Sequence, residues 1–247
     1  MDLAFLIETL GRLLAGVPLT LGLTGISISL GVILAVSLAV LRQHSKTGAW
    51  CVPAYVFVLR GSPLLAQIFL IYYGLGQFPA IRSSVLWPVL REPFWCAVIA
   101  LTLNTAAYGS EIIRGGLLSV PFGVIEAARA CGLSGVLRYR LVILPIAIRH
   151  MLPAYGNELI VMVKSTSLAS IITLMEITGI ARAISSETYR PFEVFGCAGA
   201  LYLMINCTLV RAISLLERRL DPVRMTASSR SDRVPAVQAT RAGASSR

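Results

Sequence analysis

Long runs of apolar residues without a charge divide this chain into candidate membrane-crossing segments. Four uninterrupted runs cover residues 13–41, 61–81, 93–110 and 194–210. About 20 apolar residues cross the hydrocarbon core of a bilayer as a helix. Each run therefore predicts one transmembrane helix, and the two shorter runs extend into flanking residues. A fifth stretch, roughly residues 154–177, is apolar apart from Glu158, Lys164 and Glu176, and we predict that it also spans.

The composition agrees with this pattern. Hydrophobic residues make up 56% of the 247 residues and charged residues only 14%, whereas soluble domains carry about 25% charged residues. The mean hydropathy is +0.76. We therefore expect an all-α membrane protein with about five transmembrane helices in one membrane domain, residues 1–224. Residues 225–247 are rich in Ser, Ala, Thr and Arg, which predicts a disordered basic tail.

The positive charge is explained by membrane topology rather than by a nucleic-acid partner. The net charge is +10, but the basic residues lie between the apolar runs and form no basic face beside a soluble core. Cytoplasmic loops of membrane proteins are enriched in Lys and Arg. With the N-terminus outside and the C-terminus cytoplasmic, most basic residues fall inside. The outside segments then hold only Arg12, Arg82, Arg91, Arg182 and Arg190.

The loop between the third and fourth spans, residues 115–150, is the most informative segment. Residues 121–131 carry a helix-start pattern and favour helix. Gly132 is placed to end this helix, and Ser134 is placed to cap another. The loop therefore predicts two short helices joined by a bend on the cytoplasmic surface. Such a pair either docks into a groove on a partner or lies on the membrane surface without one, and the residues alone leave both open.

The same loop resembles the cytoplasmic signature of ABC importer permeases. That signature runs Glu-Ala-Ala, three residues, Gly, nine residues and Ile-x-Leu-Pro, and the matching residues here are Glu126, Ala127, Ala128, Gly132, Leu144 and Pro145. Val142 stands where the signature has Ile, which is a conservative departure. The resemblance implies that residues 123–136, with Leu133 and Ser134, form the coupling helix that inserts into an ATP-binding subunit.

Further stretches resemble the polar amino-acid permeases of the histidine-permease type. They include residues 20–24, 29–31, 60–67, 101–116, 164–168, 189–193 and 216–220. The resemblance covers residues 13–222 and implies a MetI-like permease fold in the bacterial cytoplasmic (inner) membrane. It also implies a transport subunit that couples ATP hydrolysis elsewhere to import of a polar amino acid or related solute. Basic amino acids, glutamine, glutamate, cystine and opines all stay open as substrates.

The partners of this chain are likewise implied by the resemblance. They are an ATP-binding subunit dimer, a second identical or paralogous permease chain, an extracytoplasmic solute-binding protein, membrane lipid and the amino-acid substrate. The chain contains no G-x-x-x-x-G-K-[ST] phosphate loop. We therefore expect no cofactor in this chain, with ATP and magnesium held by the partner ATPase.

One break is predicted near the start of the second span. Residues 60–63, Arg-Gly-Ser-Pro, would break an interfacial helix and turn the chain into the membrane. In this interpretation Arg60 stays at the level of the lipid headgroups. We expect a structural elbow there rather than contact with substrate.

Polar residues inside the spans are candidates for the substrate path. A cation within a span usually faces the helix bundle or water, and Lys164 is such a cation. Thr166, Ser170 and Thr173 follow it at helical spacing and are predicted to share one face. This stripe either lines the path or packs helices together, because small hydroxyl residues serve both purposes. Our candidates for the path are Asn104, Lys164, Ser167 and Ser170.

Other classes of protein fit the sequence less well. Gly132-Leu-Ser-Gly135 superficially resembles the serine motif of a membrane protease, but its partner histidine must lie on another membrane helix. His44 and His150 lie in or beside the inside loops. Because neither histidine is placed on a membrane helix, we expect no enzyme. The five cysteines form no C-x-x-C pair, so we expect neither a metal site nor a disulfide framework. A channel or secondary transporter without an ATPase partner is the alternative function.

Overall fold

The structure is a computed structural model that describes residues 3–220, and its regular elements in this range are helices. The helices are α1 (Leu3–Leu14), α2 (Val17–His44), α3 (Lys46–Gly61), α4 (Leu64–Phe69), α5 (Pro79–Arg82), α6 (Trp87–Leu90), α7 (Pro93–Leu118), α8 (Phe122–Ala130), α9 (Gly135–Arg138), α10 (Leu144–Ser165), α11 (Ile177–Thr188) and α12 (Pro191–Leu220). The predicted tail, residues 225–247, lies outside the described residues.

Four helical segments between α4 and α11 are π or 3-10 helix rather than α-helix. A single π-helical turn, Leu70–Gly74, extends α4, and another, Tyr139–Ile143, precedes α10. A 3-10 turn, Leu75–Gln77, follows the first π turn. A longer 3-10 segment, Thr166–Ile172, follows α10.

The number of membrane spans agrees with the prediction of about five. Within the described residues, three helical stretches are long and apolar enough to cross a membrane, namely Leu3–His44, Pro93–Leu118 and Pro191–Glu217. Two further spans are bent helix pairs. Lys46–Gly61 meets Leu64–Gln77 at 103°, and Gly135–Ile172 meets Ile177–Thr188 at 49°. Counting each bent pair as one span gives five.

Helix α7 lies at the centre of the bundle and packs against α2 and α10. Gly31 of α2 faces Thr105 of α7, and a Cβ at Gly31 would overlap the Thr105 methyl group. Gly116 of α7 faces Met151 of α10 in the same way. Small residues let membrane helices approach closely. The three helices therefore pack as one unit, with the loop that joins α7 to α10 at one end.

A buried carboxylate joins α11 to α12. Glu176 is fully buried and accepts hydrogen bonds from the backbone N–H groups of Thr178 (2.9 Å) and Gly179 (2.8 Å), which are orphan donors of the first turn of α11. The Tyr202 hydroxyl of α12 donates to Glu176 Oε2, the oxygen that also accepts from Thr178, at 2.6 Å. These bonds satisfy a charge that would be costly to bury alone.

The second span begins earlier than predicted, and the elbow at Arg60 lies deeper. Helix α3 packs against α2 and α7 from Lys46 onward, where the sequence predicted an inside segment. The Arg60 guanidinium lies 4.7 Å from the centre of the Tyr108 ring, near the middle of α7 rather than at its end. The prediction of an interfacial elbow is therefore wrong. The predicted helix break at Gly61 and Pro63 is confirmed, with a bend of 103° between α3 and α4.

The fourth span also differs from the prediction. It was expected to run through residues 154–177 as one helix, but α10 ends at Ser165 and becomes 3-10 helix until Ile172. A 3-10 helix has 3.0 residues per turn, so Thr166 and Ser170 lie on different faces. Thr173 has a left-handed backbone (φ 71°) and ends the segment. The predicted stripe on one helical face is therefore wrong.

Candidate functional site

The loop between α7 and α10 contains the two short helices that the sequence predicts. Helix α8 ends at Ala130, and Gly132 follows with φ +74°, a conformation that favours glycine. The Gly132 N–H donates to the Arg129 carbonyl at 2.9 Å, and the Leu133 N–H donates to the Ala128 carbonyl at 3.1 Å. This pair of bonds is a Schellman motif, which satisfies the last carbonyls of α8 and sets the bend.

Helix α8 buries one face and exposes the other. Ala128 is buried, and Ile125 packs on a cluster of Val120, Ala147 and Met151 at the ends of α7 and α10. Among the signature residues, Glu126, Ala127, Gly132 and Ser134 are exposed, and Leu133 is half-buried. The signature thus combines residues that hold α8 against the spans with residues that face outward.

Ser134 lies at the position that begins α9, as predicted, but its hydroxyl makes no capping bond. The backbone there is extended (φ −61°, ψ 164°), and the Arg138 N–H donates to the Ser134 carbonyl at 2.8 Å. The turn is therefore closed by the main chain. The prediction of a side-chain cap at Ser134 is wrong, whereas the predicted helix start is confirmed.

A second polar group of residues surrounds the break between α3 and α4. The Asn104 amide of α7 donates to the Leu59 carbonyl at 3.3 Å and to Gln67 Oε1 at 3.1 Å. Gln67 in turn donates to the Leu59 carbonyl at 2.8 Å and to Ser62 Oγ at 2.9 Å. The break frees backbone carbonyls that water cannot reach inside a bilayer, and these amides satisfy them. Asn104 therefore has a structural partner in this state.

Two charged residues lie beside Asn104 that sequence reasoning did not single out as site residues. Glu158 of α10 is buried and accepts a hydrogen bond from the Thr105 hydroxyl at 2.6 Å. Arg60 is exposed on the chain and lies near enough to Glu158 to interact with it electrostatically. Opposite charges inside two different spans were the available signal, because intramembrane ionisable residues usually pair or face water. Together, Arg60, Asn104, Tyr108 and Glu158 form what we call the central polar cluster.

The remaining path candidates lie farther along the chain. Lys164 is exposed in the last turn of α10. Ser167 Oγ donates to the Lys164 carbonyl at 2.6 Å, and Ser170 Oγ donates to the Ser167 carbonyl at 2.8 Å. The structure thus brings these three residues together through local bonds. Among the described residues, no hydrogen bond joins these three residues to Asn104.

Comparisons with known proteins identify the family. Residues 27–222 match the family described as binding-protein-dependent transport system inner membrane component. The octopine transport system permease protein of Rhizobium meliloti is 60% identical over 227 residues, which cover 90% of this chain and 91% of that protein. The histidine/lysine/arginine/ornithine transport system permease protein of Salmonella typhimurium is 43% identical over 216 residues, covering 87% and 92%.

A solved structure agrees with the sequence relatives. The crystal structure of an amino acid ABC transporter with histidines superposes with a TM-score of 0.79 at 36% identity, and the match covers 89% of this chain and 99% of that one. The protein is a multi-pass protein of the inner membrane and a transport subunit rather than an enzyme. The chain belongs to the family of inner membrane components of binding-protein-dependent transport systems and is a permease subunit of an amino-acid ABC importer.

Proposed function

We propose that α8 and the bend after it dock into an ATP-binding subunit dimer and so couple ATP hydrolysis there to movement of the spans. The coupling residues would be Glu126, Ala127, Ala128, Gly132, Leu133 and Ser134. ATP and magnesium would be held by the partner ATPase, which this family of importers uses. The observation that carries the proposal is the exposed outer face of a loop whose inner face is packed on two spans.

The exposed face has the chemistry of a docking surface. Phe122 is 67% exposed and Val136 is 81% exposed, at the two ends of the loop. The exposed carboxylate of Glu126 lies between them along the chain. Apolar side chains rimmed by polar groups mark protein interaction sites. Burying Phe122 and Val136 on a partner would therefore stabilise the complex, and a polar contact of the Glu126 carboxylate would fix the orientation of α8 on that partner.

The inner face transmits movement. Ile125 contacts the cluster of Val120, Ala147 and Met151, and Met151 packs against Gly116 of α7. A displacement of α8 would therefore shift the ends of both α7 and α10, because packed interfaces change between discrete arrangements rather than deforming freely. This linkage would switch the pore between inward-open and outward-open states as the ATPase pair closes and opens.

A second permease chain, identical or paralogous, would complete the channel, and an extracytoplasmic solute-binding protein would deliver the solute. Arg60 supports this arrangement because it is exposed on the single chain yet lies near the middle of α7. A cation at that depth is costly in lipid and therefore faces water or another chain. The surface around Arg60 would thus line the pore between two permease chains.

The solute would pass the central polar cluster and the segment with Lys164, Ser167 and Ser170. We propose an amino acid or an amino-acid derivative of the opine type, since the most similar relative described above is an octopine permease. Octopine carries a guanidinium and carboxylates. Arg60 and Glu158 supply one charge of each sign near Asn104, which suits a zwitterionic solute.

Two substitutions in the loop test the docking. Glu126→Lys and Gly132→Asp should leave membrane insertion intact but abolish copurification with the ATPase or its transport-coupled hydrolysis. Glu92→Lys is the matched control, because Glu92 is exposed at the opposite end of α7 and makes only a 3.7 Å ion pair with Arg91. Normal uptake by both loop variants would refute the docking assignment.

A further inference from the structure

An apolar groove of about 490 Å³ runs between α2, α7 and α10. Its walls are formed by aliphatic side chains, and those used here are Val36, Val40, Ile113, Leu117, Ile148 and Leu152. Val36 is 48% exposed and Ile148 is 46% exposed, so the groove opens to the outside of the bundle. No residue of the central polar cluster is among its lining residues.

The groove has the length of one membrane leaflet. Along α2 its lining extends from Val32 to Gln43, which corresponds to roughly 16 Å of helix at about 1.5 Å per residue. The hydrocarbon core is about 30 Å thick, so the groove covers one half of it. Gln43 lies next to the end of α2, on the side that the charge pattern places in the cytoplasm.

A cationic cluster lies at that same end. Arg42 donates to Glu111 Oε1 at 2.5 Å, and Arg114 donates to Glu111 Oε2 at 2.7 Å. Two guanidinium groups thus share one carboxylate, which leaves one positive charge in excess. A second cavity of about 250 Å³ is lined by Arg42 and Arg114 and shares Ala39, Gln43 and Leu117 with the groove. The cationic cluster and the apolar groove are therefore continuous.

We propose that this continuous site binds an anionic phospholipid of the cytoplasmic leaflet. One acyl chain occupies the groove between α2, α7 and α10, and the phosphate is bound by Arg114 and Arg42 with Gln43 at the junction. Three observations favour this ligand. The groove is as long as one leaflet is thick, its walls are apolar, and the excess positive charge lies at its cytoplasmic end. Basic pockets between transmembrane helices on the cytoplasmic side are suited to anionic headgroups.

The position of the site links the lipid to transport. Tyr139, which follows α9, lines the groove, and so does Met151, which packs with Ile125 of α8. The acyl chain would therefore contact Tyr139 and Met151, which are expected to shift when the coupling loop moves. A lipid bound in the groove should therefore change the rate of transport-coupled ATP hydrolysis, although the lipid itself contacts neither solute nor nucleotide.

The test measures lipid bound to the full-length chain, extracted in mild detergent with its copurifying subunits. Native mass spectrometry follows the titration with phosphatidylglycerol or phosphatidylcholine. The wild type should retain phosphatidylglycerol in preference to phosphatidylcholine. Arg114→Gln should weaken phosphatidylglycerol binding roughly five- to tenfold, and Ala39→Phe should abolish it by filling the junction while leaving both arginines in place.

Matched controls separate this site from general lipid contact. Ala54→Phe adds the same volume at an exposed position of α3. Arg82→Gln removes a charge on the side of the membrane that the charge pattern places outside. Both controls should retain wild-type lipid binding. Equal retention of the two lipids, or unchanged binding by Arg114→Gln and Ala39→Phe, would overturn the proposal. Efficient cross-linking of Val36→Cys to a second copy of the chain would also overturn it, because a protein helix would then fill the groove.

Discussion

Replacing Gly132 is the sharpest test of how the bend after α8 is built. Gly132 has φ +74°, and a Cβ added there meets no atom within 4 Å. The substitution Gly132→Ala therefore introduces backbone strain without a steric clash. A left-handed backbone costs about 1–2 kcal/mol for a residue with a side chain, which shifts a local equilibrium by a factor of roughly 5–30. We expect the apparent affinity of the ATPase subunit to fall by about that factor.

Two variants make this prediction specific. Gly132→Asn should remain close to wild type, because asparagine tolerates the left-handed conformation that a Schellman motif requires. Gly123→Ala is the matched control, since Gly123 lies within α8, also has open space around it, and has no left-handed backbone. The assay is titration of the ATPase subunit against the permease in lipid nanodiscs. Equal affinities for Gly132→Ala and Gly132→Asn would refute the reasoning, because strain would then not control the bend.

Two further predictions concern stability and are measured by thermal unfolding in detergent. Gly31→Ala would overlap Thr105 and should destabilise the protein by about 1–3 kcal/mol, whereas Gly25→Ala, with open space around it, should not; equal effects would contradict the packing account. Tyr202→Phe removes the 2.6 Å hydrogen bond to Glu176. It should cost about 1.5–3 kcal/mol, because a buried carboxylate loses a donor, and an unchanged unfolding temperature would show that this bond is unimportant.

The parts of the fold that were predictable depend on local patterns. Apolar run length determines whether a segment can cross the membrane, and the count of about five spans follows from that alone. The bend at Gly132 was equally predictable, because a glycine after a short helix signals a left-handed C-terminal residue. Both features are set by residues that are close together in the chain.

The features that were not predictable depend on contacts between distant residues. The depth of the elbow at Arg60 is set by packing against Tyr108, and the sequence does not show which level of α7 faces it. The bond between Thr105 and Glu158 also joins separate helices. The change from α-helix to 3-10 helix at Thr166 was missed because helical spacing assumes 3.6 residues per turn throughout.

The most direct test of the central claim is a pull-down of the tagged chain from its native membrane in mild detergent, with mass spectrometry of the copurifying proteins. The account predicts an ATP-binding subunit in near-equal amount, together with a permease partner and a solute-binding protein. The named partners would also narrow the solute. Absence of any ATPase, even after cross-linking through Ser134→Cys in the exposed bend, would contradict the account and favour a channel or secondary transporter.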